Sequence, residues 1–125
     1  MKSIFLYIWQ LPQNIIGLLV ILFTGAKKDY RNLWISDKYN FGVSLGNYVI
    51  FGGFPNNKDV QHERGHQKQS LYLGWFYLII IGLPSFIGNI YDRIAHKNWD
   101  WKDSYNWYYK QPWEAWADKL GGVER

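Results

Sequence analysis

Apolar residues fall along this chain in a few long stretches separated by short polar breaks, and each stretch carries its own period. From Ser3 to Ala26 there is no charged residue, and Lys27-Lys28 follows at once. A charge-free run with a basic stop predicts an N-terminal membrane helix over residues 3–26, inside which Gln10, Pro12, Gln13 and Asn14 leave Ile15 to Phe23 as the densest apolar part. A cleavable leader is the competing reading, disfavoured because the positive charge lies mostly after the run, and a buried soluble helix is the other alternative. Residues 39–53 change to Val, Ile, Tyr and Phe around Gly46-Asn47, a dipeptide that supplies the positive φ angles of a tight turn. A β-hairpin is predicted there, Phe41–Leu45 against Tyr48–Phe51, with Trp34-Ile35 as a further short strand. The break Gly52-Gly53-Phe54-Pro55 ends in Asn56-Asn57, either of which can cap a helix predicted over residues 57–81. Residues 71–94 are strongly apolar and are divided by Gly82-Leu83-Pro84-Ser85. Pro84 removes a backbone donor and crowds the preceding turn, so a kinked apolar hairpin is expected. The last helix spans residues 112–120, with Pro112 at its start, Gly121-Gly122 at its end, and Trp113, Trp116, Ala117 and Leu120 at helical spacing. The pattern predicts one domain, mainly α with a small β-hairpin.

Composition narrows the chemistry. The 125 residues are 48% hydrophobic and 20% aromatic, yet mean hydropathy is −0.30, so apolar character is concentrated in segments. Trp and Tyr, with an apolar body and a polar tip, favour interfaces including the headgroup level of a bilayer. The absence of cysteine excludes disulfides, thiolate metal sites and a Cys nucleophile, leaving His, Asp and Glu as metal ligands. A net charge of +4, scattered along the chain, argues against a nucleic-acid partner.

The residues that carry chemistry are His62-Glu63-Arg64-Gly65-His66. On a helix, side chains four apart share a face roughly 5–6 Å apart, so His62 and His66 can converge on one metal ion. Glu63 sits one residue round, where its carboxylate can take a proton from an activated water. A catalytic site needs a third ligand, and Glu114 and Asp118, also four apart on the last helix, can provide a ligand and an acceptor for the other nitrogen of a liganding His. His96 is the first alternative third ligand, followed by Asp92, Asp100 and Asp103. Gln69 lies seven after His62 and three after His66, on the same face. Tyr105, Tyr108, Tyr109 and His96 are candidates by residue type for a donor to developing oxyanion charge.

This constellation resembles the zincin metallopeptidases, whose active-site helix carries His-Glu-x-x-His, and within them the gluzincins, which add Glu-x-x-x-Asp on a later helix. The resemblance rests on His62, Glu63 and His66 with Glu114 and Asp118, and covers only those two short helices. It implies that His62, His66 and Glu114 bind zinc, that Glu63 is the general base, and that Asp118 supports a ligand. The run is also similar to small bacterial membrane proteins in which the motif continues to a Gln-Ser pair, here Gln69-Ser70, a likeness without a known activity. The large second lobe that completes the cleft of bigger gluzincins has no counterpart in a chain of 125 residues, so specificity does not carry over.

The expected protein is therefore a membrane-associated mini-zincin hydrolysing peptide bonds with zinc-activated water, its partners a peptide or protein substrate and membrane lipid. The strand Tyr48–Phe51 is expected to offer an edge to an extended peptide. A second class is a non-catalytic membrane protein with a structural metal site or a scaffold role, and a third is hydrolysis of another amide or ester at the membrane surface. Leu71–Tyr91 is about long enough to cross a bilayer once, but one crossing would part His66 from Glu114 by about 30 Å. That conflict predicts a re-entrant hairpin. Lys27, Lys28, Arg31, Lys38, Arg93, Lys97 and Lys102 put its common side at the cytoplasmic face of a bacterial membrane.

Overall fold

In a computed structural model that describes residues 2–38, 41–53 and 55–125, the uncharged N-terminal stretch forms two helices instead of one, α1 (Lys2–Trp9) and α2 (Leu11–Thr24). Gln10 breaks them with φ −113° and ψ 22°, and Pro12 occupies the first turn of α2, where its missing N–H costs nothing. The polar residues inside the apolar run point inward. Gln13 donates to Ser70 Oγ (2.8 Å) and the Gly74 carbonyl (2.8 Å), Ser70 donates to Gln10 Oε1 (2.6 Å), and Asn14 Oδ1 accepts from the Asn47 backbone (2.7 Å). Apolar residues of the same helices face outward, Leu22 and Phe23 being 78% and 75% exposed.

Four short strands follow: β1 (Lys27–Lys28), β2 (Trp34–Ser36), β3 (Gly42–Leu45) and β4 (Tyr48–Gly52), in the sheet order β1-β2-β4-β3. β3 and β4 form an antiparallel hairpin closed by Leu45 opposite Tyr48, with Gly46 at φ 66°. Tyr39 and Asn40, expected to begin the hairpin, and Phe54 in the break after it lie outside the described residues. β2 pairs in parallel with the other edge of β4, Trp34 opposite Ile50. Both edges of β4 are thereby used, which corrects the expectation that Tyr48–Phe51 is an open edge: the open edge near the helices belongs to β3. Strand alternation sends Val49 and Phe51 to one face with Leu33 and Val60, and Ile50 to the other with Ile21 and Ala26. The sheet thus packs α2 on one side and the next helix on the other.

That helix, α3 (Asn57–Leu73), starts in a capping box in which Asn56 Oδ1 accepts from the Asp59 N–H (2.8 Å) and Asp59 accepts from the Asn56 N–H (3.3 Å). It stops at Gly74, whose φ of 55° lies in the left-handed region and whose missing Cβ would stand 2.3 Å from the Trp9 ring. The expected helix over 57–81 is divided there. Beyond a 3₁₀ turn, Gly74–Phe76, the chain is helical through Pro84: a π turn spans Leu78–Gly82, with Leu83 N–H donating to Leu78 O, and runs into α4 (Leu83–Ala95). The expected reversal at Gly82–Ser85 is replaced by this widened turn, which relieves the crowding that proline imposes on an α-helix. Leu78–Ala95 is long and apolar enough to cross a membrane, by length and composition, and little of it is buried. α5 (Trp101–Lys110) packs back along α4, Tyr108 Oη standing 2.9 Å from Ser85 Oγ. The final helix, α6 (Pro112–Gly121), lies against α3.

The α3–α6 approach is unusually close because glycines meet backbone. A Cβ at Gly65 would lie 1.8 Å from the Ala117 carbonyl oxygen, and one at Gly121 would lie 1.9 Å from the Gln61 oxygen. This contact fixes Glu114 and Asp118 opposite the two histidines.

Candidate metal centre

His62 and His66 project from one face of α3 toward Glu114 of α6, and all three are buried. His62 Nε2 lies 3.0 Å and His66 Nε2 2.9 Å from the same oxygen, Glu114 Oε1. The ligand atoms of the three residues lie within 4.8 Å of one another, the spacing at which one ion can be shared. Glu114 Oε2 is buried with no hydrogen-bond partner among the described residues, a costly condition for a carboxylate oxygen.

The far sides of both rings are fixed by acceptors. His62 Nδ1 donates to Asp118 Oδ1 at 2.7 Å, since an ionised carboxylate only accepts. Gln69 must donate its amide to the Trp113 carbonyl (2.9 Å), which turns its Oε1 toward His66 Nδ1 at 2.6 Å and makes that nitrogen the donor. Both histidines thus carry a proton on Nδ1, and in their neutral forms both Nε2 lone pairs aim at a carboxylate oxygen. Three acceptors converging on one point require positive charge between them, from a metal ion or from protons on both rings. This donor set, two imidazoles and one carboxylate with the rings oriented from behind, fits a metal ion.

The electrostatics agree. Burial opposes charge on His62, but the hydrogen bonds to Asp118 and Glu114 and the nearby Glu63 charge prevail and raise it to about 9. His66 is likewise raised, burial being outweighed by Glu114 and Glu63. Burial would lift Glu114, yet its bonds to the two histidines bring it down to about 2. Glu63 is raised above the usual carboxylate range, because burial outweighs the attraction of His66 and His62.

Glu63 and His66 line a cleft of about 650 Å³ bounded by α2, β3 and α4. Gly42 of β3 lines the cleft beside Glu63, and a Cβ there would be 3.7 Å from Glu63 Oε2. Tyr108 lines the cleft, its hydroxyl held neutral by burial, whereas Tyr109 packs edge-on against His62 with ring centres 4.9 Å apart. Tyr105 lies further out, under Arg125. The alternative ligands serve other ends. His96 stacks on Trp99 with ring centres 3.7 Å apart and bonds Asp92 through Nδ1 (2.8 Å), while Asp100 caps α5 by accepting from the Asp103 N–H (2.9 Å).

No family model, curated protein or solved structure matches this chain. The site is legible only through its own chemistry. One participant escaped sequence reasoning: Arg125 grips Asp118 with Nε to Oδ2 (2.6 Å) and Nη2 to Oδ1 (2.9 Å) and covers the Tyr109 ring at 3.6 Å. A terminal arginine carries no periodic signal. Gly65, inside the motif itself, could have been recognised as a close-packing position by pairing it with Gly121 on the last helix.

Proposed function

We propose that this chain is a membrane-associated, zinc-dependent metallopeptidase of gluzincin-like design. The observation that carries the reading is the convergence of His62 Nε2, His66 Nε2 and Glu114 Oε1, with His66 of that cluster and the neighbouring Glu63 both lining one cleft. When bound, zinc supplies Lewis acidity, polarising a carbonyl and making water a stronger acid. Glu63, beside His62 and His66 and lining the cleft, accepts the proton of the attacking water and returns it to the leaving amine. Asp118 and Gln69 hold the two imidazoles in the tautomer that leaves Nε2 free. Tyr108, kept neutral in the cleft wall, is the hydroxyl positioned by residue type and placement to donate toward developing oxyanion charge.

A peptide substrate is supported by β3. In the hairpin register Phe41, which accepts from the Gly52 N–H (2.8 Å), Val43 and Leu45 turn their backbone groups to β4, so those of Gly42 and Ser44 turn outward along the cleft. The Ser44 carbonyl already accepts from Tyr77 Oη (3.1 Å), and Gly42 remains for an added strand beside Glu63. A structural zinc site closes with four protein ligands, whereas three converge among the described residues, which favours the catalytic reading. Membrane association is supported by the outward apolar residues of α1, α2 and α4, and the cytoplasmic side by Lys27, Lys28 and Lys38.

The test separates ligation from proton transfer. Glu63→Gln should retain zinc and lose cleavage of a mixed fluorogenic peptide library in vesicles, whereas His66→Ala should lose both. Loss of zinc from Glu63→Gln as complete as from His66→Ala, or cleavage at the parent rate, would contradict the assignment.

A further inference from the structure

The cleft is lined mostly by apolar side chains, with Glu63, His66, Ser85, Asn89, Arg93 and Tyr108 among its polar lining. Away from Glu63 and His66 it is lined by side chains such as Val20, Val43, Leu78 and Phe86. Its rim is formed by the lining residues that are themselves exposed. Ile16 of α2 is 40% exposed, Leu83 and Phe86 of α4 are 52% and 64% exposed, and Arg93, also exposed, belongs to the same lining. The apolar rim runs without interruption into the outer faces of the two helices that carry it: Leu19 and Phe23 continue from Ile16 at helical spacing, and Ile79, Ile90 and Ile94 continue from Leu83 and Phe86. The opposite face of α4 is polar and turned inward, with Ser85 on Tyr108, Asn89 in the cleft wall and Asp92 on His96. The rim of the cleft is thus continuous with exposed apolar faces of α2 and α4. A mouth open to water would expose that rim at a cost proportional to its area.

We infer that the cleft opens sideways into the lipid layer between α2 and α4, and that its substrate is an apolar polypeptide segment delivered from the bilayer instead of a soluble peptide. The walls take bulky aliphatic or aromatic side chains by burial. The outward backbone groups of Gly42 select a polypeptide over an acyl chain, because an extended main chain can satisfy them and a hydrocarbon cannot. Arg93 stays at the rim, paired to Asn89 (2.8 Å), where the mouth meets the polar headgroups. This inference rests on the membrane part of the proposed function and not on the zinc ligands.

The cysteine-free sequence makes the test direct. Single cysteines replacing Phe86 at the rim, Ile94 beyond the cleft on the same helix, and Leu22 on the outer face of α2 are labelled with bimane in the full chain. The protein is placed in phosphatidylcholine–phosphatidylglycerol vesicles, and fluorescence is read with nitroxide-bearing lipid, with aqueous iodide, and with a Leu-rich membrane-spanning peptide carrying a central nitroxide. The expected result is loss of fluorescence at 86 with nitroxide lipid, protection from iodide, and saturable quenching by the peptide that exceeds quenching at 94. Lipid quenching at 22 with iodide quenching at 86 would overturn the sideways mouth while leaving the membrane reading intact. Iodide quenching at both would overturn the membrane reading and this inference together, with the metal centre unaffected. Lipid quenching at 86 with peptide quenching no greater than at 94 would make lipid the occupant and overturn the polypeptide substrate.

Discussion

Replacing Gly65 by alanine sets two effects of opposite sign against each other. Inside an α-helix, Gly→Ala removes backbone entropy from the unfolded chain and normally stabilises by about 0.5–1 kcal/mol. Here the added Cβ falls 1.8 Å from the Ala117 carbonyl oxygen, where 3.0 Å is the least such a contact accepts. The obstacle is backbone, which no rotamer change can move, so α6 must retreat by about 1.2 Å or tilt. Overpacking of this kind costs about 1–3 kcal/mol and outweighs the helix gain. Ala117 lies between Glu114 and Asp118, so the retreat carries the third ligand and the acceptor behind His62 with it. Metal–ligand distances tolerate only about 0.2 Å, so zinc affinity should fall steeply as well. Gly88→Ala provides the control, since a Cβ there meets only Trp113 at 3.9 Å and should leave stability unchanged or raised. Thermal unfolding of both variants without metal, and zinc competition against a chromophoric chelator, read the two consequences separately. A Gly65→Ala protein as stable as the parent and binding zinc with the same affinity would refute the close α3–α6 contact and the site geometry built on it.

The metal-free site should titrate in a definite window. His62 is raised from 6.5 to about 9, so its contribution to stability is complete below pH 6.5 and is lost as pH rises through about 9. Glu114 is lowered from 4.5 to about 2, so its contribution is present above pH 4.5 and is lost as pH falls through about 2; denaturant unfolding without zinc should therefore show greatest stability between about pH 4.5 and 6.5 from this pair. Because His62 is raised to about 9, zinc binding near pH 7 should release its proton, measurable by calorimetry in buffers of different ionisation enthalpy, and release of none would contradict that charge state. Asp118→Asn should weaken zinc binding about 10–100-fold, and Arg125→Gln should weaken it in the same direction by a smaller factor, because it frees Asp118 to move. Parent-like affinity in Arg125→Gln would mean that the Asp118–His62 bond needs no such support.

What could be read in advance follows the range of each interaction. The spacing of His62 and His66, and of Glu114 and Asp118, is a local helical property, and the structure brings His62, His66 and Glu114 together. The hairpin turn at Gly46-Asn47 is equally local. The parallel pairing of Trp34–Ser36 with β4 depends on residues about 16 apart in the chain and on α2 covering the sheet, so no period in either strand announced it. Gln10, Gln13 and Asn14 looked like flaws in a membrane helix because their partners, Ser70, Gly74 and Asn47, are remote in sequence. At Pro84 the expected reversal overlooked a cheaper solution: one π turn accommodates the ring, and the interruption moves to Gly74, where the backbone meets Trp9.

The central claim is that His62, His66 and Glu114 hold one zinc ion with a coordination position left open, and zinc-edge X-ray absorption on the purified full chain tests it most directly. The account predicts about one zinc per chain, two imidazole nitrogens at about 2.0–2.1 Å and carboxylate oxygen at about 2.0–2.2 Å, with one imidazole lost in His66→Ala and the carboxylate lost in Glu114→Ala. An unchanged spectrum in Glu114→Ala, or a closed shell containing a third imidazole from His96, would contradict it.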